Sequence, residues 1–468
     1  MAFETKLLIN GELVGASDVL SVVDPSTGAP FIEVPRASRA QVEAAVAAAK
    51  AAQPAWSALP LARRQEHLLR FADALHEHAG EITRTLVMEQ GKPLDQAALE
   101  VGYAEFFLRH FAAADLPVEV VQDDEALRVE VHHRPLGVVA GITPWNFPVL
   151  IACYKLAPSL LLGNSFVLKP APTTPVTSLM LGALARDIFP PGVVNVVTDA
   201  NDLGEVLTTH PDIAKVSFTG STPTGRRVMA SAASTLKRIT LELGGNDAAI
   251  VLPDVDVAAV APKIFAGAFL NAGQACLAIK RLYVHDAVYD ALCDALAAQA
   301  DAAVLGSGLE QGTTMGPLQN AMQYAKACNL LKVAEADGRI VAGGAATPGG
   351  GYFVRPTIVR DIADGSELVD EEQFAPILPV IRFHDVDDVV RRANATPYGL
   401  GGSVWSADVD RAYGIAQRFE SGTVWINNHL HFGPHIPFAG AKQSGLGVEF
   451  AQVGLAEFGQ IQVVSRAK

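Results

Sequence analysis

Residues 137–170 read GVVAGITPWNFPVLIACYKLAPSLLLGNSFVLKP. A short apolar run opens the stretch, a loop bounded by Pro144 and Pro148 interrupts it, and a longer apolar segment follows before a second short run ends at Lys169. Run length separates strands from helices where periodicity alone cannot. The stretch therefore predicts strand 137–142, helix 149–161 and strand 165–169. The same alternation continues toward the C-terminus, with strands near 193–198, 214–219 and 237–242 and helices near 175–188, 201–208 and 223–233. Strands separated by helices imply a mostly parallel sheet covered on both faces. Ligands bind at the carboxyl ends of such strands.

A second alternation begins near 247. Strands are expected at 247–251, 281–284, 338–342, 377–382, 401–405 and 422–427, with helices near 255–269, 286–303, 319–334 and 408–418. Gly244-Gly245 is a natural boundary between the two α/β units. Upstream, Asn10-Gly11 marks a hairpin turn, and helices are expected near 39–53, 62–88 and 98–113. Residues 117–133 look extended and alternate. The tail, 460–466, reads as one more strand, pairing either with 117–133 or with another chain by edge addition.

A chain of 468 residues exceeds what one hydrophobic core usually supports. Its net charge of -14 argues against nucleic-acid or anionic-membrane partners. The four cysteines, Cys153, Cys276, Cys293 and Cys328, form no C-x-x-C pair and no zinc-ligand cluster, so neither a metal nor a disulfide scaffold is expected. The longest apolar region, Leu156 to Leu162, is broken by Pro158 and Gly163. No signal-like pattern opens the chain, and the expected compartment is the cytoplasm.

Several residues could carry chemistry. Cys276 lies among small neighbours in Asn271-Ala-Gly-Gln-Ala-Cys276. A thiolate there would be a strong nucleophile, although a free cysteine is also a common small core residue. Glu242, between Leu241 and Leu243 at a strand end, would have its pKa raised by burial and become a usable base. The alternative is an ion-paired or capping glutamate. Asn146 follows a strand, and its amide could stabilise an oxyanion. Lys169 brings a cation to the sheet edge. The turn Phe218-Thr-Gly220-Ser221 opens a helix whose free N–H groups could face a pyrophosphate.

Together these pieces resemble the NAD(P)-dependent aldehyde dehydrogenase superfamily over essentially the whole chain. The matching segments are Thr143-Pro-Trp-Asn-Phe-Pro148, Lys169-Pro170, Phe218-Thr-Gly-Ser221, Leu241-Glu-Leu-Gly-Gly245, Gly273-Gln-Ala-Cys276, Glu371-Glu-Gln-Phe374 and Pro437-Phe438, in the family's order. The resemblance implies an α/β fold of three parts. A Rossmann-like cofactor-binding domain takes 1–116 and 137–245 with a return segment at 431–449. A catalytic domain covers 246–430. A small β oligomerisation unit joins 117–136 to 450–468, and a homodimer or homotetramer is expected.

The implied mechanism has Cys276 attack the aldehyde, while the Asn146 amide and the Cys276 N–H hold the oxyanion. Hydride passes to the cofactor, and Glu242 activates water against the thioester. Lys155 would stand on the wall of the catalytic region, and Glu449 would influence the water path or the thiol. The cofactor is NAD or NADP, with NAD favoured. Its implied contacts are Lys169 at the adenosine ribose, Gly220 and Ser221 at the pyrophosphate, Trp145 at the adenosine-side phosphates, Glu372 at the nicotinamide ribose and Phe374 beside it.

Three positions depart from the family pattern. Pro172 stands where many members have a glutamate that accepts the adenosine ribose hydroxyls, which weakens the basis for NAD preference. Ala375 replaces a glycine and Val448 an arginine. The expected pocket wall is Phe147, Ile151, Tyr154, Ala275, Leu277, Phe432 and Phe438, mainly apolar and aromatic. Medium aliphatic or aromatic aldehydes are therefore expected. The alternative is a carboxylated semialdehyde, for which only Arg109 or one of His429, His431 and His435 could supply the cation. A CoA-acylating dehydrogenase and an inactive binding protein of the same fold are further alternatives; Glu242 argues for hydrolysis.

Overall fold

The computed structural model describes residues 3–347 and 350–468. Two hairpins open it: β1 (Leu7–Ile9) with β2 (Glu12–Val14), and β3 (Asp18–Asp24) with β4 (Ala29–Arg36). Helices α1 (Arg39–Ser57), α2 (Leu61–Glu77), α3 (Ala79–Gln90) and α4 (Leu94–Ala112) follow, then the antiparallel pair β5 (Glu119–Asp123) and β6 (Leu127–Pro135). The alternating region is β7 (Val138–Ile142), α5 (Pro148–Leu161), β8 (Ser165–Lys169), α6 (Val176–Arg186), β9 (Val194–Val196), α7 (Gly204–Thr209), β10 (Ile213–Thr219), α8 (Thr222–Ala232) and β11 (Arg238–Glu242).

The second unit holds β12 (Asp247–Val251), α9 (Val257–Phe269), β13 (Ile279–His285), α10 (Asp286–Ala302), α11 (Ala321–Asp337), β14 (Arg339–Ala342), β15 (Thr357–Arg360), α12 (Glu367–Asp370), β16 (Ile377–Phe383) and α13 (Val386–Asn394). It continues with β17 (Tyr398–Gly399), β18 (Gly401–Trp405), α14 (Val409–Ala416) and β19 (Thr423–Ile426). The chain closes with β20 (Ala441–Lys442), β21 (Gly445–Leu446), α15 (Ala451–Ala456) and β22 (Gly459–Ala467).

Two large sheets result. The first runs β2-β1-β9-β8-β7-β10-β11-β21 and the second β14-β15-β16-β13-β12-β18-β19. Each has its own hydrophobic core. The strand order passes from the first sheet to the second across Gly244-Gly245, between β11 and β12. The late strand β21 returns to pair antiparallel with β11. In the first sheet, β9, β8, β7, β10 and β11 are mutually parallel. These strands are buried on both faces, which is why they read as unbroken apolar runs.

Several details differ from expectation. Residues 62–88 form two helices, not one: the chain breaks at His78, whose backbone (φ -102°, ψ 9°) ends α2 and starts α3. Leucine and isoleucine spacing runs through the break, so the apolar pattern conceals it. The β3–β4 hairpin, β15 and α13 lie in regions for which no element is expected. The hairpin had a signal in Asp24-Pro-Ser-Thr-Gly28, where the Asp24 carboxylate accepts the Ser26 N–H at 2.7 Å. The terminal strand β22 pairs with β6 over its full length, within the chain.

Candidate active site

The first sheet ends in a level edge. Parallel register aligns Lys169 with Ile142, Ile142 with Phe218, and Phe218 with Leu241. Glu242 is the next residue, opposite Thr219. It is buried, and neither carboxyl oxygen has a hydrogen-bond partner among the described residues. Burial raises its pKa well above the carboxylate range, and the Glu449 charge adds to this while Lys155 opposes it.

Cys276 reaches the same region from the second unit. After α9 the chain turns through Asn271, Ala272 and Gly273, all left-handed (φ 52°, 54° and 74°). Lys280 Nζ donates to the Gly273 carbonyl at 2.6 Å, and Gln274 Nε2 donates to the Asn271 carbonyl at 2.9 Å. Gly245 lies so close that a Cβ there would fall 2.6 Å from the Cys276 carbonyl oxygen. Cys276 keeps some exposed surface yet sits deep enough for burial to push its thiol up to about 12. Asp247, Glu372 and Glu242 push the same way, and Lys280 pulls down.

Asn146 joins the two units. Its Nδ2 donates to the Gln274 carbonyl at 3.0 Å, two residues before Cys276. Its own carbonyl accepts Lys92 Nζ at 2.9 Å and Asn271 Nδ2 at 3.0 Å. Lys92 is fully buried and pairs with Glu100, and its ammonium lies 3.9 Å from the Phe147 ring centroid. Glu100 Oε1 also accepts the N–H groups of Val149 and Leu150, closing the start of α5.

Lys155 is buried on α5 and donates to Ser217 Oγ at 2.8 Å and to Glu449 Oε1 at 2.7 Å. Glu372, half-buried and packed against Gly244-Gly245, accepts the Gly245 N–H at 2.8 Å. Phe374 packs edge-on against Trp145, with centroids 5.7 Å apart, and Lys280 Nζ lies 4.8 Å from its ring centroid. The Gly220 N–H donates to the Glu242 carbonyl at 3.0 Å, while Ser221 Oγ donates to Thr224 Oγ1 at 3.0 Å. Lys169 is buried beside Asp199, 2.6 Å from Oδ1.

Phe147, Ile151, Tyr154, Leu277, Phe432 and Phe438 belong to one apolar cluster with Cys276 at its border. Ala275 is buried next to Cys276. Tyr154 and Phe438 meet through Phe450, whose ring centroid is 4.9 Å from the first and 5.6 Å from the second. Phe107 adds a further ring 4.7 Å from Phe450.

Two of the groups named as cations for a carboxylated substrate are committed elsewhere. Arg109 binds Glu105 and Asp73, each at 2.8 Å. His429 is buried, with Nδ1 3.0 Å from Ser403 Oγ and Nε2 2.7 Å from the Leu277 carbonyl, and burial pushes its pKa down to about 4. It is therefore uncharged at neutral pH. His431 and His435 are exposed.

The sequence did not point to Lys92, Glu100, Asn271, Gln274, Lys280, Asp199 or Phe450. All but Phe450 are polar residues whose meaning lies in partners remote along the chain. Gln274 was present in the quoted cysteine motif, and its hydrogen bonds were the missing signal. Among the described residues no group of three or more histidine, cysteine, aspartate or glutamate side chains could hold a metal. Nor is any helix there long and apolar enough to cross a membrane.

A partly exposed thiol, a buried carboxyl and a side-chain amide meet between two α/β units, at the carboxyl ends of parallel strands, an arrangement suited to covalent catalysis. The aldehyde dehydrogenase family model matches residues 14–464. A phenylacetaldehyde dehydrogenase of Pseudomonas fluorescens is 39% identical, over 97% of this chain and 94% of the relative. An NADP-dependent succinate-semialdehyde dehydrogenase of Escherichia coli is 38% identical, over 98% and 97%. An NAD+ complex of a Bacillus cereus aldehyde dehydrogenase superposes with a TM-score of 0.97 at 33% identity, covering 99% of this chain and 97% of that one. The chain belongs to the aldehyde dehydrogenase family. It is an NAD(P)-dependent oxidoreductase that oxidises aldehydes.

Proposed function

We propose that the chain converts apolar aliphatic or aromatic aldehydes to carboxylic acids through Cys276. The observation that carries this reading is the Asn146–Gln274 hydrogen bond, which fixes an amide donor to the cysteine loop. Glu242 is buried, with neither carboxyl oxygen hydrogen-bonded among the described residues. Cys276 Sγ loses its proton to solvent water and bonds to the aldehyde carbon, whose carbonyl π pair moves to oxygen and leaves an oxyanion. The second Asn146 amide hydrogen and the Cys276 N–H stabilise that charge. A bound nicotinamide dinucleotide supplies the hydride acceptor. Glu242 then takes a proton from water, whose oxygen attacks the thioester carbon, and the acid leaves as the thiol is restored.

The residues present suit a dinucleotide. Lys169 and Asp199 meet the ribose end of that reading, Gly220 and Ser221 the pyrophosphate, and Glu372, Phe374 and Trp145 the nicotinamide side. Lys155 acts with Glu449 as a buried pair that sets the field at Glu242. The domain division fits the two sheets: cofactor binding at 1–116, 137–245 and 431–449, catalysis at 246–430, and oligomerisation through 117–136 and 450–468. We place the enzyme in the cytoplasm as a homo-oligomer.

Substrate class follows from the wall. Phe147, Ile151, Tyr154, Ala275, Leu277, Phe432 and Phe438 offer burial worth roughly 1.5–3 kcal/mol for a large apolar group. A substrate carboxylate would need a paired cation, and Arg109 and His429 are not free to serve. The phenylacetaldehyde-oxidising relative supports the aromatic reading. The test is kcat/KM over aliphatic, aromatic and carboxylated aldehydes with both cofactors. Phenylacetaldehyde and medium-chain aldehydes should lead, and a lead for succinic semialdehyde overturns the substrate class. Cys276→Ala should abolish acid formation while dinucleotide binding persists; normal turnover by that variant overturns the nucleophile.

A further inference from the structure

Position 172 holds a proline, so the first turn after β8 offers no carboxylate to a ribose. The neighbouring loop does. Strands β8 and β9 are parallel and paired through Phe166–Val194, Val167–Asn195 and Leu168–Val196, so the loops leaving their carboxyl ends run side by side. One carries Lys169 and the other Asp199.

The Asp199 loop is pinned on both sides. The Val197 N–H donates to the Leu168 carbonyl at 3.0 Å, and the Ala37 N–H donates to the Thr198 carbonyl at 2.8 Å. Asp199 is 1% exposed. Its Oδ2 accepts the Leu203 N–H at 2.9 Å and so holds the turn into α7. Its Oδ1 lies 2.6 Å from Lys169 Nζ, but off the axis of a hydrogen bond, and has no hydrogen-bond donor among the described residues. Lys169 Nζ makes one long hydrogen bond, to the Pro170 carbonyl at 3.4 Å.

A buried ion pair is stable only when its remaining lone pairs and protons are met. The unmet groups here are a carboxylate acceptor and ammonium donors, side by side. A vicinal diol matches both, because each hydroxyl donates and accepts. We propose that Asp199 is the carboxylate that recognises the adenosine ribose hydroxyls and excludes a 2′-phosphate, in place of the glutamate that Pro172 displaces. This rests on the reading that Lys169 meets that ribose. Asp199 already neutralises Lys169, and the other cation that feels Asp199, Arg36, is paired with Asp202, so a 2′-phosphate would bring its charge against a fixed carboxylate whose neighbouring cations are both committed. The enzyme therefore selects NAD over NADP.

The test is calorimetric titration of the free protein with NAD and NADP, and with the half-probes 5′-AMP and 2′,5′-ADP. Wild type should bind NAD at least about tenfold more tightly than NADP, since like charges in contact cost several kcal/mol. Asp199→Asn keeps an acceptor for the Leu203 N–H and removes the charge. It should lower the NADP-to-NAD ratio of Kd values at least about tenfold, and the half-probes should follow. Asp199→Ser, with folding checked by thermal melting, should act alike. Wild type that binds NADP as tightly as NAD overturns the proposal without any variant. So does a folded Asp199→Asn that keeps the wild-type ratio while Lys169→Ala weakens both dinucleotides. If Lys169→Ala and Asp199→Asn both leave both dinucleotides unaffected, the ribose-site reading falls as well.

Discussion

At the scale of single residues, burial favours the neutral forms of two acid–base groups. Cys276 is held up to about 12 and Glu242 well above the carboxylate range, each chiefly by burial. Burial disfavours the thiolate, the form that attacks a carbonyl carbon. Glu242 works as a base only when ionised, so hydrolysis of the thioester should rise with pH as its carboxyl deprotonates. The acidic limb of the kcat profile should therefore lie above the ordinary glutamate value of about 4.3. In Glu242→Gln that limb should vanish and kcat should fall about 10²–10⁴-fold. Rapid mixing should still record one fast turnover of reduced cofactor per active site, because acylation survives. An unchanged limb in the variant assigns the titration to another group. The residues of this site were partly legible in sequence. Cys276 and Glu242 stand in unusual surroundings, a small-residue loop and an apolar strand end. Lys92, Glu100 and Asp199 look like surface charges until the fold supplies their partners.

Among the elements, α5 has Asn146, the proposed oxyanion donor, at its mouth, and its start is secured from outside. Phe147 at the helix boundary provides no side-chain cap, and Pro148 has no N–H to offer. Glu100 of α4 fills this role by accepting the N–H groups of Val149 and Leu150. Lys92 couples the same carboxylate to the Asn146 carbonyl. Glu100→Gln should leave Lys92 charged, buried and unpaired, at a cost of about 3–5 kcal/mol. The double variant Lys92→Met with Glu100→Gln should recover most of that loss in denaturant melts. It should still show a reduced kcat, because Asn146 loses the Lys92 contact that fixes its carbonyl alongside Asn271. Full kcat in a folded double variant shows that Asn146 needs no such support. The strands and helices of 137–245 were readable because run length there tracks element type. Where the apolar rhythm passes unbroken through a kink, as at His78, or where an element lacks contrast with its flanks, as at β15, only tertiary packing sets the outcome.

For the whole molecule, the boundary at Gly244-Gly245 was visible because an alternating pattern stops and restarts there. The arm formed by β5, β6 and β22 was visible as extended chain, but not what covers it. Its strand order is β22-β6-β5, so β22 lies at an open edge. All of β22 after Gly459 is exposed, including Ile461 at 56% and Val463 at 60%. Those two side chains share one face of the strand, since alternate residues point the same way. Val118, Val120 and Val121 are exposed on or just before β5, at the other edge of the same three-stranded sheet. An edge strand whose Ile461 and Val463 face stays exposed among the described residues suits a surface from another copy. The proposed homo-oligomer supplies one. Light scattering should therefore give a mass that is a multiple of 49.3 kDa. The double substitution Ile461→Asp with Val463→Asp should shift it toward the single chain, because two carboxylates would be desolvated at the contact. Dinucleotide binding should survive, since this arm is separate from the sheet that carries Lys169 and Glu242. A wild-type mass of one chain, or an oligomer indifferent to both aspartates, rules out this face as the contact.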